Sequence, residues 1–165
     1  MKVEKVSVGL VGLGMVCESH LKAYSAHPDA EVLAVCDLDT NRSKEIANKY
    51  GIPRTYNSYE QMLKDPEINT VDITTPTILH SPMALAAAMA GKNILCEKPF
   101  CLTLTEGQEV CEAARSKGVT LMVGESYIFM TSLKQARTLI EAGEIGKPQQ
   151  MRQRFGSWVE RLGIL

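Results

Sequence analysis

Short apolar runs alternate with stretches of helical spacing along most of the chain. Runs at Val6–Val11, Val32–Asp37, Val71–Thr74, Ile94–Glu97 and Val119–Val123 predict strands, with a weaker one at Arg54–Tyr56. Most lack clean polar alternation, as expected of parallel strands covered on both faces. Asn41–Tyr50 is polar, helical in spacing, and closes at Gly51. Ser58, Thr105 and Ser132 each stand three residues before a glutamine, at Gln61, Gln108 and Gln135. Each pair fits a capping box, in which the hydroxyl accepts a free N–H and the amide reaches back. Ser81 before Pro82 predicts an N-cap followed by the first helical position, where a missing N–H costs nothing. The helix so opened, Met83–Ala90, is mostly Ala and Met, which predicts deep packing with a stop at Gly91. Val110, Ala113 and Ala114 mark an apolar face on the next helix, and Leu133, Ala136 and Ile140 mark one on the last. The alternation predicts an α/β fold: a doubly wound, mainly parallel sheet, helices on both faces, right-handed crossovers.

After Gly146-Lys147-Pro148 the pattern changes. Gln149–Trp158 reads as a strand with Met151, Phe155 and Trp158 among polar residues. A lone strand cannot bury its own face. The expectation is one domain over 1–147 and, at 148–165, the start of a second, truncated β-sheet domain. An exposed strand of this kind invites pairing with a second copy of the chain.

Composition narrows the function. The chain has 165 residues, 18 basic and 19 acidic, for a net charge of −1. That balance argues against holding nucleic acid or an anionic membrane by bulk charge. No apolar run reaches the roughly 18 residues of a membrane span, and the N-terminus lacks the pattern of a signal peptide. A cytoplasmic protein is expected. The five cysteines, Cys17, Cys36, Cys96, Cys101 and Cys111, form no C-x-x-C pair. They read as small hydrophobes, with no disulfide framework and no metal site expected.

The chemistry-bearing residues follow the strands. Gly12-Leu13-Gly14-Met15-Val16-Cys17 is a G-x-G-x-x-G pattern with Cys at its third position. The first Gly makes a tight turn, the second admits a pyrophosphate, and the third position needs a small residue. The next helix would point free N–H groups at phosphate. Glycines in a β–α turn can also be purely structural. Asp37 ends the second strand, where a carboxylate accepts from ribose hydroxyls and repels a 2′-phosphate. NAD is therefore expected before NADP. Asp39 is a nearby competitor, and Arg42 could serve a 2′-phosphate. Thr74-Thr75-Pro76-Thr77 leaves the next main strand, placing His80 near the sheet's carboxyl edge; a lone His is more often structural. Glu97-Lys98-Pro99 lies at the same edge. Lys98 there could bond a substrate oxygen and help move its proton, or simply pair with Glu97. His20 and His27 have no functional context in the sequence.

Taken in order, these residues resemble the Gfo/Idh/MocA family of NAD(P)-dependent oxidoreductases. The likeness rests on Gly12-x-Gly14, Asp37, Thr75-Pro76 with His80, and Ala90-Gly91-Lys92. It rests above all on Cys96-Glu97-Lys98-Pro99 and Ala142-Gly143-Glu144-Ile145-Gly146. The resemblance implies a Rossmann domain followed by a larger β-sheet domain that completes the substrate site. It implies hydride transfer between nicotinamide and a sugar, polyol or related alcohol or ketone. Lys98 is the implied catalytic residue. Gly12, Leu13, Gly14, Met15, Val16, Asp37, Thr75, Pro76, His80, Glu97 and Lys98 are the implied cofactor-binding set. The family's other catalytic residues, an Asp and a His, lie in the second domain. Three departures stand out: Cys17 for the usual Gly or Ala, Thr77 for Asn or Pro, and no Arg within Tyr127–Met130. The alternative is a non-catalytic NAD-binding or regulatory module acting through a partner. A methyltransferase would leave Glu97-Lys98-Pro99 without a role.

Overall fold

Strands that are apolar on both faces need helices above and below, and the chain supplies them. The computed structural model describes residues 5–152. The strands are β1 (Val6–Val11), β2 (Ala30–Cys36), β3 (Arg54–Tyr56), β4 (Thr70–Ile73), β5 (Asn93–Cys96) and β6 (Leu121–Val123). They form one sheet in the order β3-β2-β1-β4-β5-β6, with every pairing parallel. The helices are α1 (Cys17–Ser25), α2 (Thr40–Tyr50), α3 (Tyr59–Leu63), α4 (His80–Met89), α5 (Leu104–Lys117) and α6 (Thr131–Glu141). The order reverses between β1 and β4, which is the switch point where such sheets open a ligand crevice.

Alternation along β1 divides the core into two layers. Leu10 packs with Leu13, Cys17, Leu21, Val35 and Ile46 under α1 and α2. Val11 packs on the other face with Val71, Ile73, Ala84, Ala88 and Val110, beneath α4 and α5. The expected deep packing of the Ala-rich helix is met, since Ala84, Ala87 and Ala88 are fully buried. Gly9 admits α3 to the sheet: a Cβ there would meet Met62 Sδ at 3.0 Å and Ile68 at 3.1 Å.

Three expected helix starts move. Helix α5 begins two residues earlier, with Thr103 and Glu106 forming the reciprocal capping box in place of Thr105 and Gln108. Glu106 also accepts from Leu102 N; a carboxylate is the stronger acceptor. Helix α4 follows directly from a 3-10 turn at Thr77–Leu79, so Ser81 and Pro82 sit inside its first turn. Burial of His80 and Ser81 holds that turn against the core, and Pro is tolerated there. Helix α6 starts at Thr131, with no side-chain cap from Ser132.

The chain divides into two compact units between Glu125 and Ser126. The second contains a 3-10 turn at Ser126–Phe129 and α6, which carries Leu133, Ala136 and Ile140 along one side. Gln149–Arg152 forms no strand. The rest of the expected strand, with Phe155 and Trp158, lies outside the described residues. Among the described residues no helix is long and apolar enough to cross a membrane.

Lys92, from the Ala90-Gly91-Lys92 segment, has a structural position. It is buried, and its ammonium donates to Asp65 O and Ile68 O at 2.7 Å each. It ties the approach to β4 to the start of β5, and burial lowers its pKa. Lys92→Met would leave two carbonyls without this donor. Its expected cost is about 1–3 kcal/mol, read as a lower midpoint in urea denaturation; an unchanged midpoint would show the pair to be idle.

Candidate functional site

Four strand ends converge at the carboxyl edge of the first unit. Main-chain bonds lace them: Gly12 N donates to Cys36 O, Thr74 N to Val11 O and Glu97 N to Ile73 O, each at 2.9 Å. Thr74 Oγ1 adds a bond to Gly12 O at 2.6 Å. The residues after β1, β2, β4 and β5 therefore form one continuous rim.

The two glycines of the first turn differ in their reasons. Gly12 has φ +90°, and a Cβ would lie 2.7 Å from Thr75 Cγ2 and 2.8 Å from Thr75 N. Gly12 is dictated by the approach of the segment leaving β4. Gly14 has nothing within 4 Å of its Cβ position, so a group can close on its backbone from outside. Met15 is highly exposed beside it, and among the described residues no side chain caps the N-terminus of α1 at Val16. Unpaired N–H groups at a helix start attract phosphate. Cys17, at the third position, is fully buried. Burial raises its thiol pKa, against the opposing pull of Arg42.

Leu13 is held from both sides. Its N–H donates to Asp37 Oδ2 at 2.7 Å, and its carbonyl accepts from Arg42 Nε at 3.1 Å. Asp37 Oδ1 accepts from Asp39 N at 2.9 Å. Asp39 itself caps α2 by accepting from Asn41 N and Arg42 N. Arg42 is further engaged by Glu45 at 2.9 Å and Glu18 at 3.5 Å. Asp37 and Asp39 are thus placed differently: Asp37 bonds the glycine turn and Asp39 caps its own helix.

A cleft of about 340 Å³ opens beside this turn, walled by Gly12, Asp37, Leu38, Tyr59, Thr75 and Pro76. Its lining also includes Glu60. Thr75 and Pro76 are thus at the cleft, as is Asp37. His80 is placed differently. Its ring is 1% exposed, with Nε2 2.7 Å from Thr75 O and Nδ1 2.8 Å from Pro99 O. Each nitrogen faces a main-chain carbonyl, so the ring lies between two rim loops and its nitrogens do not face the cleft.

Glu97 and Lys98 lie farther along the rim. Lys98 is exposed, and its ammonium makes no hydrogen bond or ion pair among the described residues. The expected pairing with Glu97 is a main-chain one: Lys98 N donates to Glu97 Oε2 at 3.1 Å. Glu97 Oε1 faces His20 Nε2 at 3.1 Å. His20 Nδ1 lies 2.8 Å from Asp72 Oδ2, which also accepts from Tyr24 OH at 3.0 Å. Asp72 is fully buried, and its Oδ1 has no hydrogen-bond partner among the described residues. This raises the His20 pKa, chiefly through the bond to Asp72. Burial, then Asp72, drives the Tyr24 hydroxyl pKa upward.

His20 was without context in the sequence, yet signals existed. Cys17, His20, Leu21 and Tyr24 follow i, i+3, i+4, i+7 spacing, the inward stripe of α1. Asp72 interrupts the apolar run of a central strand. A charge there demands a partner. Among the described residues no cluster of His, Cys, Asp or Glu is arranged to hold a metal ion.

A family model described as an oxidoreductase family with an NAD-binding Rossmann fold matches residues 6–125. Mouse trans-1,2-dihydrobenzene-1,2-diol dehydrogenase is 36% identical over 150 residues, covering 90% of this chain and 45% of its own. The crystal structure of a probable dehydrogenase from Thermotoga maritima superposes with TM-score 0.83 at 30% identity, over 86% of this chain and 43% of its own. A levoglucosan dehydrogenase in complex with NADH and levoglucosan superposes with TM-score 0.83 at 32% identity, over 87% of this chain and 41% of its own. The chain therefore spans less than half the length of these relatives.

The turn itself gives a paired test. Gly12→Ala combines a strained φ with a main-chain clash and is expected to cost about 2–5 kcal/mol. Gly14→Ala meets open space and is expected to stay within about 0.5 kcal/mol of the parent. Urea denaturation of both variants reads the contrast; equal losses would contradict this account of the turn.

Proposed function

The chain belongs to the Gfo/Idh/MocA oxidoreductase family, with its NAD-binding Rossmann fold, and on that premise we propose that it forms the cofactor-binding half of a dehydrogenase. The turn at Gly12–Gly14 carries this reading. It leaves open space over Gly14, beside a helix start without a side-chain cap, at the switch point of the sheet. The N–H groups of Gly14, Met15 and Val16 would hold the pyrophosphate, since those of Gly12 and Leu13 already donate to Cys36 O and Asp37. Thr75 and Pro76 would wall the dinucleotide, and His80 would serve it by holding the Thr75 and Pro99 segments together.

Asp37 would accept from the ribose hydroxyls with the lone pairs left after Leu13 and Asp39. A 2′-phosphate would meet that carboxylate and Glu60 of the same cleft. Arg42, which could otherwise serve such a phosphate, is already engaged by Leu13 O, Glu45 and Glu18. NAD(H) is accordingly the proposed cofactor, in preference to NADP(H).

The bound nicotinamide would take up or give a hydride. Lys98, exposed and without a side-chain partner among the described residues, would stabilise negative charge on the substrate's reacting oxygen or pass its proton. The proposed substrate is a sugar, polyol or related alcohol or ketone, in keeping with the dihydrodiol and levoglucosan named for the relatives. In this reading residues 1–147 make the dinucleotide domain, and 148–165 open a β-sheet domain for the substrate and a second copy. Five free thiols suit the reducing cytoplasm.

Titration calorimetry on the chain should show NAD(H) binding more tightly than NADP(H). Asp37→Ala should weaken NAD binding about tenfold or more, the worth of a charged hydrogen bond, and narrow the preference. Absence of binding by either dinucleotide would end the proposal, and tighter NADP binding would end the preference. In an active preparation, Lys98→Met should lower kcat by about 10²–10⁴-fold, the range of a lost acid–base group. NAD affinity should change far less. A kcat within a few-fold of the parent would make Lys98 structural.

A further inference from the structure

Beneath the Glu97–Lys98 turn lies a line of titratable side chains that the proposed chemistry does not use. It begins at Asp72 in the middle of β4 and passes through His20 on α1 to Glu97. It ends at the main-chain N–H of Lys98. We propose that His20 is a positioning residue for Lys98: its ring ties the Glu97 carboxylate to Asp72, and Glu97 in turn fixes the peptide that presents Lys98.

Proton counting gives the tie its strength. Each ring nitrogen of His20 faces a carboxylate oxygen, and an ionised carboxylate only accepts. A ring with a proton on each nitrogen therefore bonds both, with charge assistance at each end. Glu97 is then held by both oxygens, one on His20 and one on Lys98 N. Gly124 makes the space for it, since a Cβ there would come within 3.0 Å of Glu97 Oε1.

Loss of one proton has a definite direction. Neutral His20 keeps a single N–H for two carboxylates. Asp72 is fully buried, with one oxygen already lacking a partner among the described residues, whereas the Glu97 side chain is 13% exposed and can turn to water. Removing a donor from a buried carboxylate costs more than removing one from a carboxylate that water can reach. The remaining N–H stays on Asp72, and Glu97 lets go. The groups facing His20 are Asp72 from β4 and Glu97 after β5. Tyr24 shares the Asp72 oxygen. Cys96 of β5, near both carboxylates, has its thiol pushed up to about 12 by burial and stays neutral. Because the folded pKa of His20 lies above its ordinary value, the tie is complete below the ordinary value and is lost as pH rises through the raised one.

The catalytic meaning of this tie rests on the dehydrogenase reading; the coupling of His20 to Lys98 does not. NMR on the 165-residue chain tests it. The His20 ring signals and the Lys98 amide are followed from about pH 5.5 to about pH 9, bracketing the ordinary histidine value of about 6.5. His20 should titrate above that value, with the Lys98 amide moving at the same midpoint. His20→Gln should abolish the Lys98 transition. Glu97→Gln should leave His20 titrating while the Lys98 amide stays flat, and it decides the matter alone if His20→Gln does not fold. A Lys98 amide that is flat in the parent overturns the proposal. So does one that still follows His20 in Glu97→Gln, since that signals field effects without positioning. NADH titration runs alongside. Coupled titration without NADH binding upholds His20 and rejects the dinucleotide reading. NADH binding with an uncoupled Lys98 does the reverse.

Discussion

The working edge of this domain depends on one close approach, that of Thr75 to Gly12. Parallel strands β1 and β4 sit side by side with their carboxyl ends together. The chain must leave both without collision. It does so by turning at Gly12 in the left-handed region, with the Thr75 main chain occupying the place of a side chain. From that contact the rest follows. The turn sends the chain toward α1, Pro76 diverts the other segment away from the sheet, and the cleft forms where they part.

Two kinds of fastening keep the parted segments in place. On one side Leu13 is gripped through its own peptide groups by Asp37 and Arg42, so the residue that would meet a ribose also shapes the turn that would meet a phosphate. On the other side His80 links the Thr75 and Pro99 carbonyls. Both use a side chain to satisfy main-chain groups that regular structure leaves unpaired. The rim is thus set by polar contacts between side chains and the main chain, and its loops need no apolar core of their own.

Much of this was legible in the sequence, and the failures have physical causes. β1 and β3 fall on the expected residues. β2 starts earlier, at Ala30, because Val6 and Ser7 recruit Ala30 and Glu31 as partners; pairing, not hydropathy, decides that end. Two hydroxyls compete to open α5, and Thr103 prevails because Glu106, a carboxylate, reaches back more strongly than Gln108 could. Asp37 and Gly12 stood out because each closes a strand in a recognisable pattern, although Leu13 and Thr75, which they meet, are distant in sequence. His20, within a helix, did not, and its partners lie 52 and 77 positions away. Lys92 shows the converse: a residue that carried the resemblance serves the fold at the opposite approach to the strands.

Cys17 has an electrical consequence. A cysteine at a helix start is ordinarily drawn toward thiolate, because the helix dipole and free N–H groups favour an anion there. A thiolate at that point would place a fixed negative charge behind the glycine turn and repel any phosphate that approached. Burial against Leu10 and Leu21 outweighs the pull and keeps the sulfur protonated. The helix start therefore keeps its full positive potential for a guest from solution, and the substitution of sulfur for the usual hydrogen or methyl is electrostatically silent.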